Sequence, residues 1–395
     1  MNPPPYPIFD ADNHLYESPD VVTDYIPKEH SRDIQFVEVR GRKRIAIKGQ
    51  IATYMPNPTF EQIAAPGTHV PYYAGTNTEG LSLRELSGVP IDCPPEFREP
   101  GPRVVRMDEL GISRALMFPT LANLLEYSLE GDPDLTHVSV HAVNHWLHDV
   151  WGFGFQDRIY TVPVITLPVV EKAVEELEWV LERGARAVLV RPGPVTGYQG
   201  SRSFGLPEFD PFWARVEEAG IPVCMHASFP PLNRYYEQWE PGRTSSAFEP
   251  TPLKRLLLRH REIEDAIAAL ICQGTLTRFP KVRIMSVENG ATWVGPLLDE
   301  LELTYRQLPQ DFAEDPVETF QRCVYVNPFW EDDVMKLVGR IGEDHILFGS
   351  DYPHPEGLAQ PLEFFDHMNE AAIPTDIQRK VMSENADALF GAFSS

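Results

Sequence analysis

The chain has 395 residues, 43% hydrophobic and 23% charged, with 34 Lys plus Arg against 58 Asp plus Glu and a formal net charge of −24. That composition supports one large core or two smaller ones and excludes disorder, collagen and coiled coil. Charge this negative repels phosphate backbones and anionic membrane faces, and only short pieces such as residues 40–44 offset it, so neither nucleic acid nor membrane is an expected partner. The longest apolar stretches fall well short of the ~20 residues needed to span a bilayer. The opening Met-Asn-Pro-Pro-Pro-Tyr-Pro has neither the basic nor the apolar stretch of a secretory signal, and Cys93, Cys224, Cys272 and Cys323 lack Cys-x-x-Cys spacing. Together these features predict a soluble, cytoplasmic protein with reduced thiols.

Short β-branched or apolar runs bounded by turn residues predict strands over residues 7–14, 113–120, 158–165, 185–192, 221–228, 282–289, 323–329 and 345–351. Segments of helical period fall between most of them, over residues 103–110, 135–150, 170–183, 211–219, 252–277, 293–308 and 331–339, and the tail 374–393 reads as a closing helix. Such alternation implies parallel strands joined by helical crossovers. Eight units predict an α/β fold of the closed (β/α)8 TIM-barrel type, with an open doubly wound sheet as the alternative. The chain exceeds the ~250 residues of a plain barrel, so insertions are expected. One covers residues 15–102 after strand 1, rich in proline, glycine and aromatics, and is read as packed but irregular. The other covers residues 229–250 after strand 5, with Tyr235, Tyr236, Trp239 and Phe248 as aromatic surface. Both follow strand ends, the face where such barrels hold their chemistry, and are read as lids. No repeat or linker marks a second domain, so residues 1–395 are read as one unit.

Strand 1 ends in Asp10-Ala-Asp12-Asn-His14. Side chains two apart share a face, so Asp10, Asp12 and His14 are expected to point the same way, and a carboxylate beside an imidazole can chelate a borderline divalent metal. Strand 5 is an apolar run that stops at His226, and strand 8 is one that stops at Asp351. In a barrel these ends converge, so Asp12, His14, His226 and Asp351 can meet around one ion. Any one of them alone is as readily a hydrogen-bonded turn residue; four at equivalent positions point to a site. Strand 6 adds Glu288, which is either a partner for an arginine or helix N-terminus, or a second-metal ligand or acid/base beside the first metal. Arg191 at the end of strand 4 is either a bidentate holder of a substrate carboxylate or a structural counter-ion. His354 has three readings: a ligand, a hydrogen-bond donor behind one, or a turn histidine. Glu17 and Asn327 are rim candidates with no spacing argument. His137, His141, His145 and His148 carry i, i+4 metal spacing, but Leu135, Val143 and Trp146 among them mark an outer amphipathic helix, away from the strand ends.

Several segments together resemble a known group. They are Phe9-Asp-Ala-Asp-Asn-His-Leu-Tyr-Glu17, Met107-Asp-Glu-Leu-Gly-Ile112, Met117-Phe-Pro119, His226, Phe279-Pro280 with Glu288-Asn-Gly-Ala-Thr-Trp293, and Ile346-Leu-Phe-Gly-Ser-Asp-Tyr-Pro-His354. Over nearly its full length the chain resembles amidohydrolase-related family 2, the branch that includes aminocarboxymuconate-semialdehyde decarboxylase and resorcylate-type decarboxylases. The resemblance implies a barrel, frequent homo-oligomers, a small-molecule substrate, and a divalent metal held by the two strand-1 residues, His226 and Asp351. Two departures stand out: Asp12-x-His14 replaces the family's frequent His-x-His, and Glu288 stands where many members carry a catalytic histidine. No lysine ends strand 4, where Arg191 stands instead, so the bridging lysine of binuclear relatives is absent.

The carboxylate-rich set of Asp12, Asp351 and Glu288 against His14 and His226 favours iron or manganese over zinc, with one ion or two. The leading expectation is a metal-dependent hydrolase or non-oxidative decarboxylase of a small organic acid, ester, amide or lactone. In hydrolysis Asp351 takes the proton of the attacking water and Glu288 passes it on; in decarboxylation Glu288 protonates carbon. A non-haem iron or di-iron oxygenase on the same barrel is the second reading, and a non-catalytic barrel used for binding is the third.

Overall fold

The computed structural model describes residues 4–52, 57–227, 233–242 and 250–390. In it, β1 (Phe9–Leu15) pairs in parallel with β2 (Arg114–Pro119), which pairs in parallel with β3 (Ile159–Thr161). A second parallel sheet contains β4 (Val188–Leu189), β5 (Val223–His226), β6 (Ile284–Val287) and β7 (Val324–Val326), in the order β7-β6-β5-β4. The α/β class with parallel strands is as expected. Strands covered on both faces read as unbroken apolar runs, and Val223, Cys224 and Met225 of β5 are all fully buried.

Hydrogen bonds join the two sheets at both edges. At one, Leu189 N donates to Pro163 O and Ile165 N donates to Leu189 O, each at 2.8 Å. At the other, the chain from Ile346 onward runs between β7 and β1: Leu347 N donates to Val326 O at 3.0 Å, Ala11 N to Phe348 O at 2.8 Å and Asp351 N to Asp12 O at 2.8 Å. This last segment makes only isolated bridges instead of the expected eighth strand. Two of its amides are used elsewhere, Phe348 N bonding Val381 O and Ser350 N bonding the Asp10 carboxylate.

Helices pack their apolar stripes on the sheets. Arg261–Cys272 buries Ile263, Ala266, Ile267, Leu270 and Ile271, a 3.6-residue stripe in which each Ile or Leu is worth about 1.5–3 kcal/mol over exposure. The single helix expected over 252–277 is three, Pro252–Leu258, Arg261–Cys272 and Thr275–Arg278, interrupted at His260 (φ 58) and Gly274 (φ 75). The expected helix 331–339 starts later, at Val334, where the Asp333 side chain caps Lys336 N. The tail runs as Thr375–Arg379, a π turn Lys380–Glu384 and Asn385–Phe390.

Residues 15–102 are less irregular than their composition suggests. They hold an antiparallel meander, Ile34–Val39, Arg42–Ile47 and Gln50–Ile51, with a second small ladder of Gln62–Ile63 and Ile91–Asp92. Both meander turns place a basic residue and a glycine in the left-handed region (Arg40 φ 52 with Gly41 φ 73; Lys48 φ 50 with Gly49 φ 76). That is hairpin geometry signalled in sequence only by the glycine, since the usual Asn-Gly or Asp-Gly is missing. Of the second insertion, residues 229–232 and 243–249, Phe248 included, lie outside the described residues, as do Ser228 and 391–393 of the expected strand 5 and tail helix. Among the described residues no helix is long and apolar enough to cross a membrane, and all four cysteines carry free thiols.

Candidate metal centre

The ladder between β1 and β2 slips between Asp10 and Asn13. This bulge breaks the alternation that would turn Asp10, Asp12 and His14 to one side. Asp10 instead faces the seam with the 346–351 segment, accepting from Ser350 N at 3.0 Å, Ser350 Oγ at 2.5 Å and Asn13 Nδ2 at 2.8 Å. Asp12 and His14 point into a buried cluster. His14 Nε2 lies 2.9 Å from His226 Nε2, 3.4 Å from Asp12 Oδ1 and 3.5 Å from Asp351 Oδ1. His226 Nε2 lies 3.7 Å from Asp12 Oδ1 and 3.3 Å from Glu288 Oε2. His354 stacks on His14 with ring centroids 4.0 Å apart and sets Nδ1 2.8 Å from Asp351 Oδ1. Six side chains read from the sequence thus stand together.

The backbone is bent to present them. Glu288 (φ 53) and Asp351 (φ 55) both sit in the left-handed region, an arrangement that costs a non-glycine residue about 1–3 kcal/mol and recurs at functional sites. Gly349 lets strand ends approach, because a Cβ there would collide with the Asp12 Cβ and the Asn327 amide. Beneath the cluster Arg103, fully buried, donates to His14 O, Asn13 Oδ1 and Glu96 O, each at 2.6 Å, between the rings of Phe97 and Tyr352. It occupies the core-facing stripe of its helix with Met107 and Leu110, an arginine where the period calls for an apolar residue.

Charge in this pocket is unbalanced. Burial and the Asp351 carboxylate push Glu288 well above the usual carboxylate range, and burial with Glu356 and Asp12 does the same to Asp351. Burial also opposes ionisation of Asp12, but contacts with His14 and His226 prevail and hold it near 2. Burial and the neighbouring His354 push His14 well below the imidazole range. Hydrogen-bond logic sets two tautomers. The carbonyl of Ala227 can only accept, so His226 Nδ1 donates to it at 2.8 Å and a neutral His226 turns a bare Nε2 into the cluster. The Thr120 hydroxyl donates to Leu15 O at 2.8 Å, so its oxygen accepts from His354 Nε2 at 3.0 Å.

A divalent cation fits this arrangement. Asp12 Oδ1 is buried with no hydrogen-bond partner, and the Nε2 atoms of His14 and His226 stand 3.4 and 3.7 Å from it, donors that a cation between them would satisfy together. Ligand atoms of Asp12, His14 and His226 lie within 4.8 Å of one another, as do those of His14, Glu288, Asp351 and His354. A cavity of about 360 Å³ opens onto Glu288 and Ala227 and is walled by Tyr72, Tyr73, Leu83, Phe329 and Arg255.

Other residues fall elsewhere. Arg191 lies 3.4 Å from Glu130 Oε1 and donates to Pro194 O, around a separate small cavity with Glu126 and Thr136. Glu17 is no rim residue: its buried Oε1 accepts from Leu121 N and Ala122 N, while burial pushes its carboxyl up to about 7. Asn327 is buried and donates to Leu347 O. On the helix Pro133–Val150, His141 pairs with Glu176 at 2.7 Å and His145 with Asp149 at 3.8 Å, while His137 accepts from Val169 N. Arg103, Thr120 and Glu356 were missed by sequence reasoning. Only Arg103 left a trace there, as a charge inside an apolar stripe.

The family model described as Amidohydrolase matches residues 10–392. Among solved structures, an amidohydrolase from Mycobacterium avium subsp. paratuberculosis K-10 is similar at 38% identity and TM-score 0.92, over 98% of this chain and all of its own. A dihydroxybenzoic acid decarboxylase from Polaromonas sp. JS666, with bound manganese and the inhibitor 2-nitroresorcinol, shares the fold at TM-score 0.64 and 16% identity over 98% of both chains. The gamma-resorcylate decarboxylase of Rhodococcus jostii (strain RHA1) is 26% identical over 245 residues, 59% of this chain and 71% of that protein. A family match from the first strand to the last helix, laid over this buried His and carboxylate cluster, places the chain in the amidohydrolase family.

Proposed function

We propose that the protein is a divalent-metal-dependent, non-oxidative decarboxylase of a small aromatic acid. The observation that carries this reading is the meeting of Asp12, His14, His226 and Asp351 in one buried pocket, with Asp12 Oδ1 left without a hydrogen-bond partner. Those four residues would hold the ion. Two carboxylates and two imidazoles suit manganese or iron better than zinc, in keeping with the manganese of the Polaromonas decarboxylase. When bound, the ion orients substrate oxygens and stabilises negative charge developing on them.

Tyr72, Tyr73 and Phe329 give the cavity aromatic walls for a ring, and its volume of about 360 Å³ takes a small aromatic acid. Glu288, which lines the cavity with Oε2 3.3 Å from His226 Nε2 and whose burial favours the neutral form, is placed to hold the proton that must reach the ring carbon bearing the carboxylate. Proton transfer to that carbon is followed by cleavage of its bond to the carboxylate. The bonding pair returns to the ring, carbon dioxide leaves, and Glu288 regains its proton from solvent through the cavity. His354, held through Nε2 by Thr120, stands with Nδ1 2.8 Å from Asp351 Oδ1 and limits the positions open to that side chain.

The same reading takes the chain as one domain whose eight strand segments close into a (β/α)8 barrel. Its support is the pair of seams at Val164–Leu189 and at Val326–Ile346 with Ala11–Phe348. Residues 15–102 and the described end of the second insertion then border the mouth, since Tyr72 and Tyr73 come from the first and Pro250 from the second.

The test loads metal-stripped protein with manganese and incubates it with 2,6-dihydroxybenzoate and related hydroxybenzoates. Carbon dioxide and the corresponding phenol are expected in equal amounts, without oxygen uptake. Hydrolysis of esters or lactones with no carbon dioxide from any hydroxybenzoate would overturn the reading.

A further inference from the structure

Glu288 and Phe329 line the cavity from two different strand ends, Glu288 directly after β6 and Phe329 shortly after β7. One atom ties their turns together. Asp332 Oδ2 accepts from Ala291 N at 2.7 Å, in the turn after β6, and from Phe329 N at 2.9 Å, in its own turn. Among the described residues neither amide has a second acceptor. The turn after β6 needs such a tie. Glu288 (φ 53) sits in the left-handed region, which a non-glycine residue keeps only where its surroundings hold it, and Gly290 follows in the same region (φ 61). Packing makes the same join: a Cβ at Gly290 would stand 2.6 Å from the Phe329 ring and 3.1 Å from Asp332 Oδ2. The rest of the turn is pinned separately, by Asn289 Nδ2 donating to Met225 O at 3.1 Å and Trp293 Nε1 donating to Gly290 O at 2.9 Å. Asp332 itself neither lines the cavity nor belongs to the cluster of histidines and carboxylates.

We infer that Asp332 is a positioning residue: through the Ala291 and Phe329 amides it fixes where the Glu288 carboxyl stands relative to the aromatic wall against which the substrate ring lies. A carboxylate that accepts from backbone N–H groups makes charge-assisted bonds, stronger than those of a neutral acceptor. Asparagine keeps an oxygen acceptor of the same shape, whereas alanine leaves both amides without a partner. Delivering a proton to one ring carbon requires acid and ring to be held together closely, and a displacement of about 1 Å costs about 100-fold in rate. Because Asp332 is outside both the cavity lining and the proposed ligand set, its loss is expected to act on proton transfer while leaving metal and substrate binding in place.

The inference rests on the decarboxylase reading, and one arm of its test needs no turnover. In that arm hydrogen exchange is followed by mass spectrometry on manganese-loaded protein. Asp332→Ala is expected to speed exchange about tenfold or more across residues 288–291 and 327–332 together, at unchanged manganese content, and Asp332→Asn to keep most of the protection. In the second arm, hydroxybenzoate turnover by Asp332→Ala is expected to show kcat about 100-fold lower at a KM within about threefold, and Asp332→Asn to recover kcat to within about tenfold of the unmodified protein. Added to Glu288→Gln, the alanine substitution is expected to lower kcat by less than about twofold more, since the group it positions is already gone. Unchanged kcat, unchanged exchange or lost manganese in Asp332→Ala would overturn the inference, as would a full further loss of about 100-fold in the Glu288→Gln background. Exchange that responds as expected in a protein releasing no carbon dioxide from any hydroxybenzoate would remove the activity reading and leave the tie between the two turns standing.

Discussion

His14, His226 and His354 come from three distant segments into one buried pocket, whereas His141, His145 and His148 share the outer face of a single helix around Trp179. In the pocket, ring nitrogens face one another and a carboxylate oxygen has no hydrogen-bond partner. On the helix, His141 has Glu176, while His145 and His148 share Asp149. The helix carries the better-looking metal spacing and the pocket carries the better chemistry. Binding energy for a cation comes from donors that converge and lack other partners, and i, i+4 spacing guarantees neither.

The contrast predicts its own tests. Asp12→Ala or Asp351→Ala is expected to remove bound metal and to lower activity by roughly a thousandfold or more, read by metal analysis and turnover; variants that kept their metal would break the comparison at its centre. Arg103→Leu strips hydrogen bonds from His14 O and Glu96 O. It is expected to cost about 3–5 kcal/mol in urea unfolding and to weaken metal affinity about 10- to 100-fold.

Glu17 sharpens the account of burial. Burial raises its folded-state carboxyl from 4.5 to about 7, against the pull of Leu121 N and Ala122 N. Between those values the folded protein holds a proton that the unfolded chain has released. The stability associated with the neutral form is therefore complete below about pH 4.5, is lost as pH rises towards 7, and changes no further above it. The loss amounts to about 3 kcal/mol, and Glu17→Gln, which keeps the acceptor, should abolish that part of the pH dependence of unfolding. Replacing His141 and His145 together with alanine is expected to leave metal content unchanged and stability within about 0.5 kcal/mol. Metal lost from that variant would reverse the ranking of the two groups.

Much of the architecture was legible because parallel strands buried on both faces read as apolar runs, and the residue ending each run marks one end of the sheet. His226, Glu288 and Asp351 were singled out in that way, and the structure brings them close to His14. The meander in residues 34–51 was not, because its turns use Arg-Gly and Lys-Gly, and the eighth strand was drawn too regular because amides of Phe348 and Ser350 bond outside the ladder. Arg191 kept two readings until its pairing with Glu130 favoured the counter-ion.

By itself the amino-acid order determined the α/β alternation, the family likeness and the strand-end residues, since each depends on local pattern alone. Only tertiary structure decided that Asp10 turns away from Asp12, that Arg103 supports the cluster from below, and that Arg255 stands over two tyrosines in the cavity beside Glu288. Those outcomes depend on a bulge, on buried charge seeking partners and on the meeting of segments nearly two hundred residues apart, and no local period encodes any of the three.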